Sequence, residues 1–377
     1  MQAFEKSERL LFLTGVVNGD IDTLPLIQEG KHNAASYKIQ VKPLIDTSRT
    51  IGLTPAAINL YQYADHPYSI TTPGEIAGCV ICKLAHINQL VQSRYNISAI
   101  SLIARLKLKR VPIITLYSDN LCAKEGHLAS DLYKEILGFT DHLVTATESM
   151  GKACKQYVNP NCQHTIIEDP CLVRPQDFPS LNEEDTIRII WFGNPVNFTY
   201  LSRIIEPLLA NIRQCKCELT IFTSFKHLDI QSSLSQWSHS NRGNWSFRCV
   251  SWASLSQPLQ LEQELGRAHI ALLPSDPMDP LKVHASHNRL VDAIQSGCVT
   301  VASSIPSYQE LCKISIIGND VVGNLAKAID QYRRLANKYS SLRSKYLERF
   351  NPTVNHKKWK ILLEQSTGLN GFKSPRN

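Results

Sequence analysis

No stretch of this 377-residue sequence comes near the ~18 consecutive apolar residues that a membrane-spanning helix requires. No Gly-x-Gly-x-x-Gly follows the first apolar run, so dinucleotide binding loses its usual signature. Residues 1–9 carry Glu5, Lys6, Glu8 and Arg9 and show no secretory leader pattern. The expectation is a cytoplasmic protein, with a peripheral place at the inner face of a membrane left open. Cys79-Val80-Ile81-Cys82 has redox or zinc spacing, but no second pair stands at ligand spacing, so no metal is expected. The 11 cysteines are scattered through apolar segments and are expected to be reduced thiols. Basic and aromatic residues do not interleave as a nucleic-acid module would require, which excludes a nucleic-acid partner.

What is present is the composition of a globular protein long enough for two domains, with 43% hydrophobic and 19% charged residues. The net charge of +7 is uneven. Residues 1–185 hold 17 Lys and Arg against 20 Asp and Glu, whereas residues 186–377 hold 23 against 13. A basic second half suits a phosphate-bearing ligand or an anionic membrane surface. The window 333–360 holds Arg333, Arg334, Lys338, Arg343, Lys345, Arg349, Lys357, Lys358 and Lys360 against Glu348, and a weak membrane-surface contact is expected there. A solvated basic helix face explains those residues equally well.

Apolar runs alternate with helical periodicity throughout, which predicts a doubly wound α/β architecture in both halves. In the first half, Arg9 to Val17, Val111 to Leu116 and His142 to Ala146 read as buried strands. Tyr37 to Leu44 reads as a strand, Thr54 to Tyr63 as a short helix and Pro73 to Arg94 as a helix. Ile97 to Leu106 reads as a strand running into a helix. The turn after the first strand contains Gly15, which either faces a ligand or only turns the chain. Asp119 and Asn120 follow the strand at 111–116, where polar side chains of a parallel sheet line the ligand crevice. Residues 165–187, with Pro170, Pro175, Pro179 and an acidic run, predict an interdomain linker. In the second half, strands are expected at 186–192, 218–222 and 245–250, helices at 201–213 and 259–268, helical structure from Gly323 to Phe350, and a last helix over 353–366.

The stretch from His269 to Leu311 organises the second half. Ile270 to Leu273 is a strand closed by Pro274-Ser275. Leu290, Ala293 and Ile294 fall at helical spacing, Gly297 suits a left-handed cap, and Val299 to Ala302 is the next strand. Ser286 is expected to cap the helix. Lys282, Ser286, His287, Asn288 and Arg289 precede or open it, a placement that favours an anion.

This stretch resembles the donor half of a GT-B glycosyltransferase of the retaining, family 4-like kind that builds bacterial polysaccharides. That family has a strand ending in Pro-Ser, a loop with Glu, a helix reading Glu-Ala-Met-Ala-x-Gly, a strand, and a loop ending in Glu. Here stand Pro274-Ser275, Asp292-Ala293-Ile294-Gln295-Ser296-Gly297, Val299 to Ala302, and Glu310. The family's pair of glutamates would fall on His284 and Asp292, so only the second keeps a carboxylate. The family's Arg and Lys after the first strand of this half have no counterpart in Gly193-Asn194-Pro195-Val196-Asn197.

The resemblance implies two Rossmann-like domains facing a cleft: an acceptor domain over 1–170, a linker over 171–186, a donor domain over 187–350, a helix over 351–367 crossing back, and a tail over 368–377. It implies a metal-independent glycosyltransferase of polysaccharide biosynthesis that takes a nucleotide-sugar as substrate, needs no cofactor, and acts on a carbohydrate or lipid-linked acceptor. Lys282 and Arg289 would neutralise phosphate, with Gly193, Asn194, Thr223, Ser286 and Asn288 around it. Asp292 would accept from a ribose, and Trp252 would stack on the base. Asp119 would serve the acceptor hydroxyl as the catalytic residue, with Gly15 and Asn120 beside it. Structural readings stand beside these: a turn aspartate for Asp119, a helix-face carboxylate for Asp292, a core or surface tryptophan for Trp252. A GT-B-like scaffold without catalysis and a sugar-nucleotide epimerase are the alternatives.

Overall fold

Buried parallel strands set the framework of both halves. The structure, a computed structural model, describes residues 8–13, 37–58, 60, 76–84, 89–182, 185–224, 229–240, 243–251 and 259–369. The chain divides into two units. One is Met1–Pro170 with His284–Ser286 and Asn351–Asn377; the other is Cys171–Val283 with His287–Phe350.

The first unit holds strands β1 (Arg9–Leu13), β2 (Thr54–Ile58), β3 (Ile76–Ile81), β4 (Ile113–Tyr117), β5 (His142–Thr145) and β6 (Gln163–Ile166). They pair in parallel in the order β2-β1-β3-β4-β5-β6. Both faces are covered, as a parallel sheet requires. Helices Gln89–Leu108 and Leu128–Phe139 supply Leu102, Ile103, Leu132 and Ile136 to the core on one face. Helices Lys42–Thr50 and Pro352–Thr367 supply Leu44, Ile45, Trp359 and Leu363 on the other.

Four expectations fail in this unit. Tyr37 to Leu44 is not a strand: a π-helical turn, Tyr37–Val41, leads into helix Lys42–Thr50. Pro43 sits in the helix's first turn, where its missing N–H costs nothing, and Lys42 pairs with Asp46 one turn on (2.9 Å). Thr54 to Ile58 is a strand and not a helix. It is an edge strand, a position in a sheet where Pro55 is tolerated; residues 61–63 lie outside the described residues. Pro73 to Arg94 is not one helix. Ile76–Ile81 is a strand between β1 and β4, and the helix begins at Gln89. An apolar run buried on both faces has no period of its own, so the spacing of Ile76, Val80 and Leu84 misled. Ile97 to Leu106 contains no strand and lies wholly inside helix Gln89–Leu108.

The second unit holds β7 (Ile187–Phe192), β8 (Cys217–Thr223), β9 (Trp245–Ser251), β10 (Ile270–Leu273), β11 (Val299–Ala302) and β12 (Ile316–Ile317). All pair in parallel, in the order β12-β11-β10-β7-β8-β9. This is the strand order of a dinucleotide-type Rossmann sheet, and its direction of winding reverses between β7 and β10. The stretch from Gly323 to Phe350, expected to be helical, lies in two helices, Val321–Asp330 and Tyr332–Leu347, separated at Gln331, and a short 3-10 turn, Glu348–Phe350.

Residues 171–182 form no helix or strand and are fastened along the amino-terminal side of this sheet. The Gln176 amide donates to Gln295 O (3.0 Å), the Tyr332 hydroxyl to Pro179 O (2.7 Å) and Arg333 Nε to Leu181 O (2.9 Å). Gly297 has φ +81°, and a Cβ there would lie 2.4 Å from Asp177 O. Only glycine meets both demands. His269 is fully buried and accepts from the Arg188 amide at Nδ1 (2.9 Å). Nε2 therefore carries the proton and donates to Ser180 O (3.2 Å).

The helix Pro352–Thr367 belongs to the first unit. Thr47 Oγ1 bonds His356 Nδ1 (2.9 Å), Ser366 Oγ bonds His142 Nδ1 (2.7 Å), and Lys358 Nζ pairs with the buried Glu168 (2.5 Å). No helix among the described residues is long and apolar enough to cross a membrane.

Candidate functional site

In the second unit the carboxyl ends of β7 and β10 flank the point where the winding reverses, the place where open α/β sheets bind ligands. β7 ends at Trp191-Phe192, and Gly193 leaves it with φ +155°. The Gly193 amide donates to Phe222 O (3.2 Å), and Thr223 Oγ1 donates to Gly193 O (2.7 Å). Thr223 is fully buried, so it shapes the turn from beneath. Asn194 is exposed, and its side chain accepts from the Val196 amide (3.1 Å).

Arg289, on helix Asn288–Gln295, reaches this turn from the loop after β10. Its Nη1 donates to Phe192 O (3.3 Å), and a Cβ on residue 193 would lie 3.2 Å from the same nitrogen. A Cβ there would crowd the guanidinium by a few tenths of an ångström, and the positive φ itself favours glycine. Two buried polar atoms here lack a hydrogen-bond partner among the described residues, Trp191 Nε1 and Asn197 Oδ1. Such atoms are rare in folded proteins and mark places where water or a ligand completes the bonding.

The structure brings Gly193, Thr223 and Arg289 together. It treats the other expected donor-side residues differently. Asp292 sits one turn further along the helix, and its Oδ1 accepts the Cys171 thiol (3.7 Å). Burial and the Asp292 carboxylate push that thiol's pKa up. Lys282 lies in the turn before the helix, with its amide on Asp279 O (2.9 Å). Ser286 does not cap the helix: the cap position is His287, whose side chain makes no capping bond, because the chain is already helical there (φ −73°, ψ −8°). Asn288 is the first helical residue. Trp252 and Gly15 lie outside the described residues.

His287, named from the sequence only as one of the residues around the helix start, belongs to the architecture of this loop. It is buried, and its Nε2 lies 3.1 Å from Glu310 Oε2. Arg349 Nη2 donates to the same oxygen (2.6 Å), and the Phe350 ring packs edge-on to the imidazole (5.0 Å). Burial pushes the Glu310 carboxyl up, but the hydrogen bonds from His287 and Arg349 outweigh it and hold its pKa below the usual value. Glu310, the last residue of the sequence pattern, thus anchors the start of the helix that carries Arg289. A buried histidine leaves no periodic trace in a loop, so only its position one residue before the helix could have signalled it.

His284, at the place of the missing carboxylate, is half-buried. Burial lowers its pKa, and its buried Nδ1 has no hydrogen-bond partner among the described residues. In the first unit, Asp119 follows β4 and pairs with Lys83, which follows β3 (3.0 Å). Asn120 Oδ1 accepts from the buried Tyr117 hydroxyl (3.2 Å). Asp119 is half-exposed and Asn120 buried. Cys79 and Cys82 are both buried, and burial pushes both thiols up, that of Cys82 to about 12.

No protein-family model matches the sequence, and no curated protein matches it. Solved structures do match. Anabaena Alr3699/HepE, crystallised with UDP-glucose, aligns over 95% of this chain and 99% of its own at a TM-score of 0.58 and 10% identity. The lipopolysaccharide outer core galactosyltransferase WaaB, in its apo form, aligns over 95% and 98% at 0.54 and 10%. TarM aligns over 81% of this chain and 58% of its own at 0.55 and 11%. The chain has the GT-B glycosyltransferase fold. At such identities the likeness is one of fold.

Proposed function

We propose that the protein is a glycosyltransferase that moves a sugar from a nucleotide-sugar to a hydroxyl of a carbohydrate or carrier-linked acceptor. The observation that carries this is Arg289 seated on the Gly193 turn, at the carboxyl end of β7 where the sheet reverses, beside two buried polar atoms without partners. The UDP-glucose in the HepE crystals is in keeping with it. In the transfer, the acceptor oxygen forms a bond to the anomeric carbon and gives up its proton. The bond from that carbon to the diphosphate breaks, and the nucleoside diphosphate leaves with the electron pair.

Negative charge then grows on the diphosphate. A guanidinium fixed beside it, at the positive end of helix Asn288–Gln295, stabilises that charge more in the transition state than in the ground state. Asp292 accepts from ribose through the oxygen not facing Cys171. Asp119, tied to Lys83, orients the acceptor hydroxyl. The partnerless Nδ1 of His284 takes the place of the family's carboxylate toward the donor sugar.

Two observations favour a second reading, a GT-B-like binding protein without turnover: His284 replaces a carboxylate, and Asp119 already carries an ammonium partner. Calorimetric titration with UDP and UDP-glucose, followed by an assay for donor hydrolysis without acceptor, separates the two. Binding with hydrolysis supports the transferase, and binding without hydrolysis or transfer supports the second reading. An absence of any nucleotide affinity overturns both.

A further inference from the structure

The redox spacing in the sequence falls on Cys79 and Cys82, but the structure parts them. Cys79 lies in the core on one face of the first sheet and Cys82 in the core on the other. A different pair meets: the sulfurs of Cys215 and Cys217 lie 3.6 Å apart. Residues two apart on an extended chain send their side chains to the same side, and here the chain is entering β8 from the turn after helix Phe198–Asn211. That turn is fastened at both ends. Trp245 Nε1 donates to Ile212 O (3.0 Å), Asn244 Nδ2 to Arg213 O (2.6 Å) and the Cys217 amide to Asn244 O (2.8 Å). Cys215 stands at a bend between these anchors. The two thiols differ in access. Cys217 is 1% exposed, and burial followed by the Cys215 thiol pushes its pKa up. Cys215 is half-buried, with the exposed Arg213 and Lys216 on either side of it in the turn.

We propose that Cys215 and Cys217 are a reversible disulfide site, in which Cys215 reacts first and Cys217 resolves. The co-reactant is an anionic low-molecular-weight disulfide of the glutathione type, which the two flanking bases attract. The Cys215 thiolate attacks one sulfur of that disulfide and releases the first small thiolate. The Cys217 thiol gives its proton to solvent and attacks the Cys215 sulfur of the mixed disulfide, and the second small thiolate leaves with the electron pair. Two protein thiols are oxidised and one small disulfide is reduced to two thiols. The sulfurs must close from 3.6 Å to ~2.05 Å, and the bend at Cys215 supplies the movement, because Cys217 is held in register with Ile187 and Trp245. A bridge across so short a loop is strained and therefore easily reduced again. The pair lies at the amino-terminal end of β8, away from the carboxyl ends that form the candidate site, and the proposal does not depend on the transferase reading.

The test incubates the full, native chain with glutathione disulfide, blocks remaining thiols with iodoacetamide, digests with trypsin and reads the fragments by mass spectrometry. Cleavage after Arg213, Lys216 and Lys226 places the two cysteines on separate fragments, so a bond between them joins 214–216 to 217–226. Wild type is expected to give the joined fragments, and reduced glutathione in excess should part them. Cys217→Ala is expected to stop at a glutathione adduct on Cys215. That adduct should be at least about tenfold scarcer in wild type, because the second thiol is already in sulfur contact and acts within the molecule. In Cys215→Ser the buried Cys217 should stay unmodified. Cys312, exposed and in no sulfur pair, should carry an adduct in all three proteins and so shows that the oxidant was active. The proposal is overturned by an adduct on Cys215 in wild type that never becomes a joined pair, by joined fragments that form only in urea, or by modification of Cys217 in Cys215→Ser. It is also overturned if Cys312 is modified while Cys215 and Cys217 both remain thiols.

Discussion

Replacing Arg289 by Met tests the candidate site most directly. Methionine keeps an unbranched stem of similar reach and removes the charge and the five donors. In the unliganded protein Arg289 makes one long bond to a backbone carbonyl, Phe192 O at 3.3 Å, so little stability depends on it. Losing a bond of that length costs no more than about 1 kcal/mol. Against a diphosphate the balance differs. A charge-assisted bond is worth roughly 1.5–3 kcal/mol, and each 1.4 kcal/mol is tenfold in affinity. The Kd for UDP should therefore rise by about 10- to 150-fold, while denaturant unfolding moves little. Arg289→Lys should fall between, since it keeps the charge and loses the planar fork. Isothermal titration at fixed salt reads the first quantity and urea melts read the second. An Arg289→Met affinity within twofold of wild type would show that the guanidinium only braces the strand end. A large loss of stability would show the same.

Three other outcomes follow from the geometry. His269 is buried, and burial followed by the nearby Arg188 guanidinium lowers its pKa to about 4. Its folded-state pKa lies below the unfolded value of about 6.5, so its contribution is complete above that pH. It is lost as pH falls from about 6.5 towards 4, by up to about 3 kcal/mol. In His269→Asn, unfolding free energy should vary less steeply over that window, and identical slopes would refute the assignment. Gly297→Ala should destabilise by about 2 kcal/mol or more, from positive φ and from the approach of Asp177 O; unchanged urea midpoints would contradict it. Asp292→Asn keeps the oxygen that accepts from Cys171, and should weaken UDP by about 1–2 kcal/mol but its 2′-deoxy analogue by less. Equal losses, or none, would remove Asp292 from a ribose site.

The second half of the chain was legible because its buried strands end in strong punctuation. β7 stops at Gly193, β10 stops at Pro274, and Gly297 closes the helix between β10 and β11. The first half was less so. β2 begins Thr-Pro-Ala-Ala, poor in β-branched residues, and only its place at the sheet edge makes it a strand. β3 and the helix Gln89–Leu108 are both apolar, and their periods differ only once the buried residues are known. The outward-facing Ile97 is one reason that Ile97 to Leu106 read as a strand running into a helix. Apolar residues on a solvated face erase the amphipathic signal that a helix normally shows.

The candidate site shows the same limit for a different reason. Read along the chain, residues 193–197 contain no base, and the expected cation beside the first strand of the donor half is missing. In space a base is there. Arg289 lies 96 residues after Gly193 in sequence, and its guanidinium rests against the turn at Gly193. The charge at this strand end comes from a different place in the sequence than the one expected. What permits the change is the helix Asn288–Gln295, whose start is held by His287, Glu310 and Arg349. Releasing that start should therefore weaken nucleotide binding even though Glu310 touches no part of the Gly193 turn. Glu310→Gln tests it: the amide keeps an acceptor for Arg349 but loses the charge that gathers both bases. UDP affinity should fall severalfold in this variant, and less than in Arg289→Met. In a protein that already carries Arg289→Met, the second change should add almost nothing, because both act through one guanidinium. Full additivity of the two losses would show that Glu310 and Arg289 serve the ligand separately.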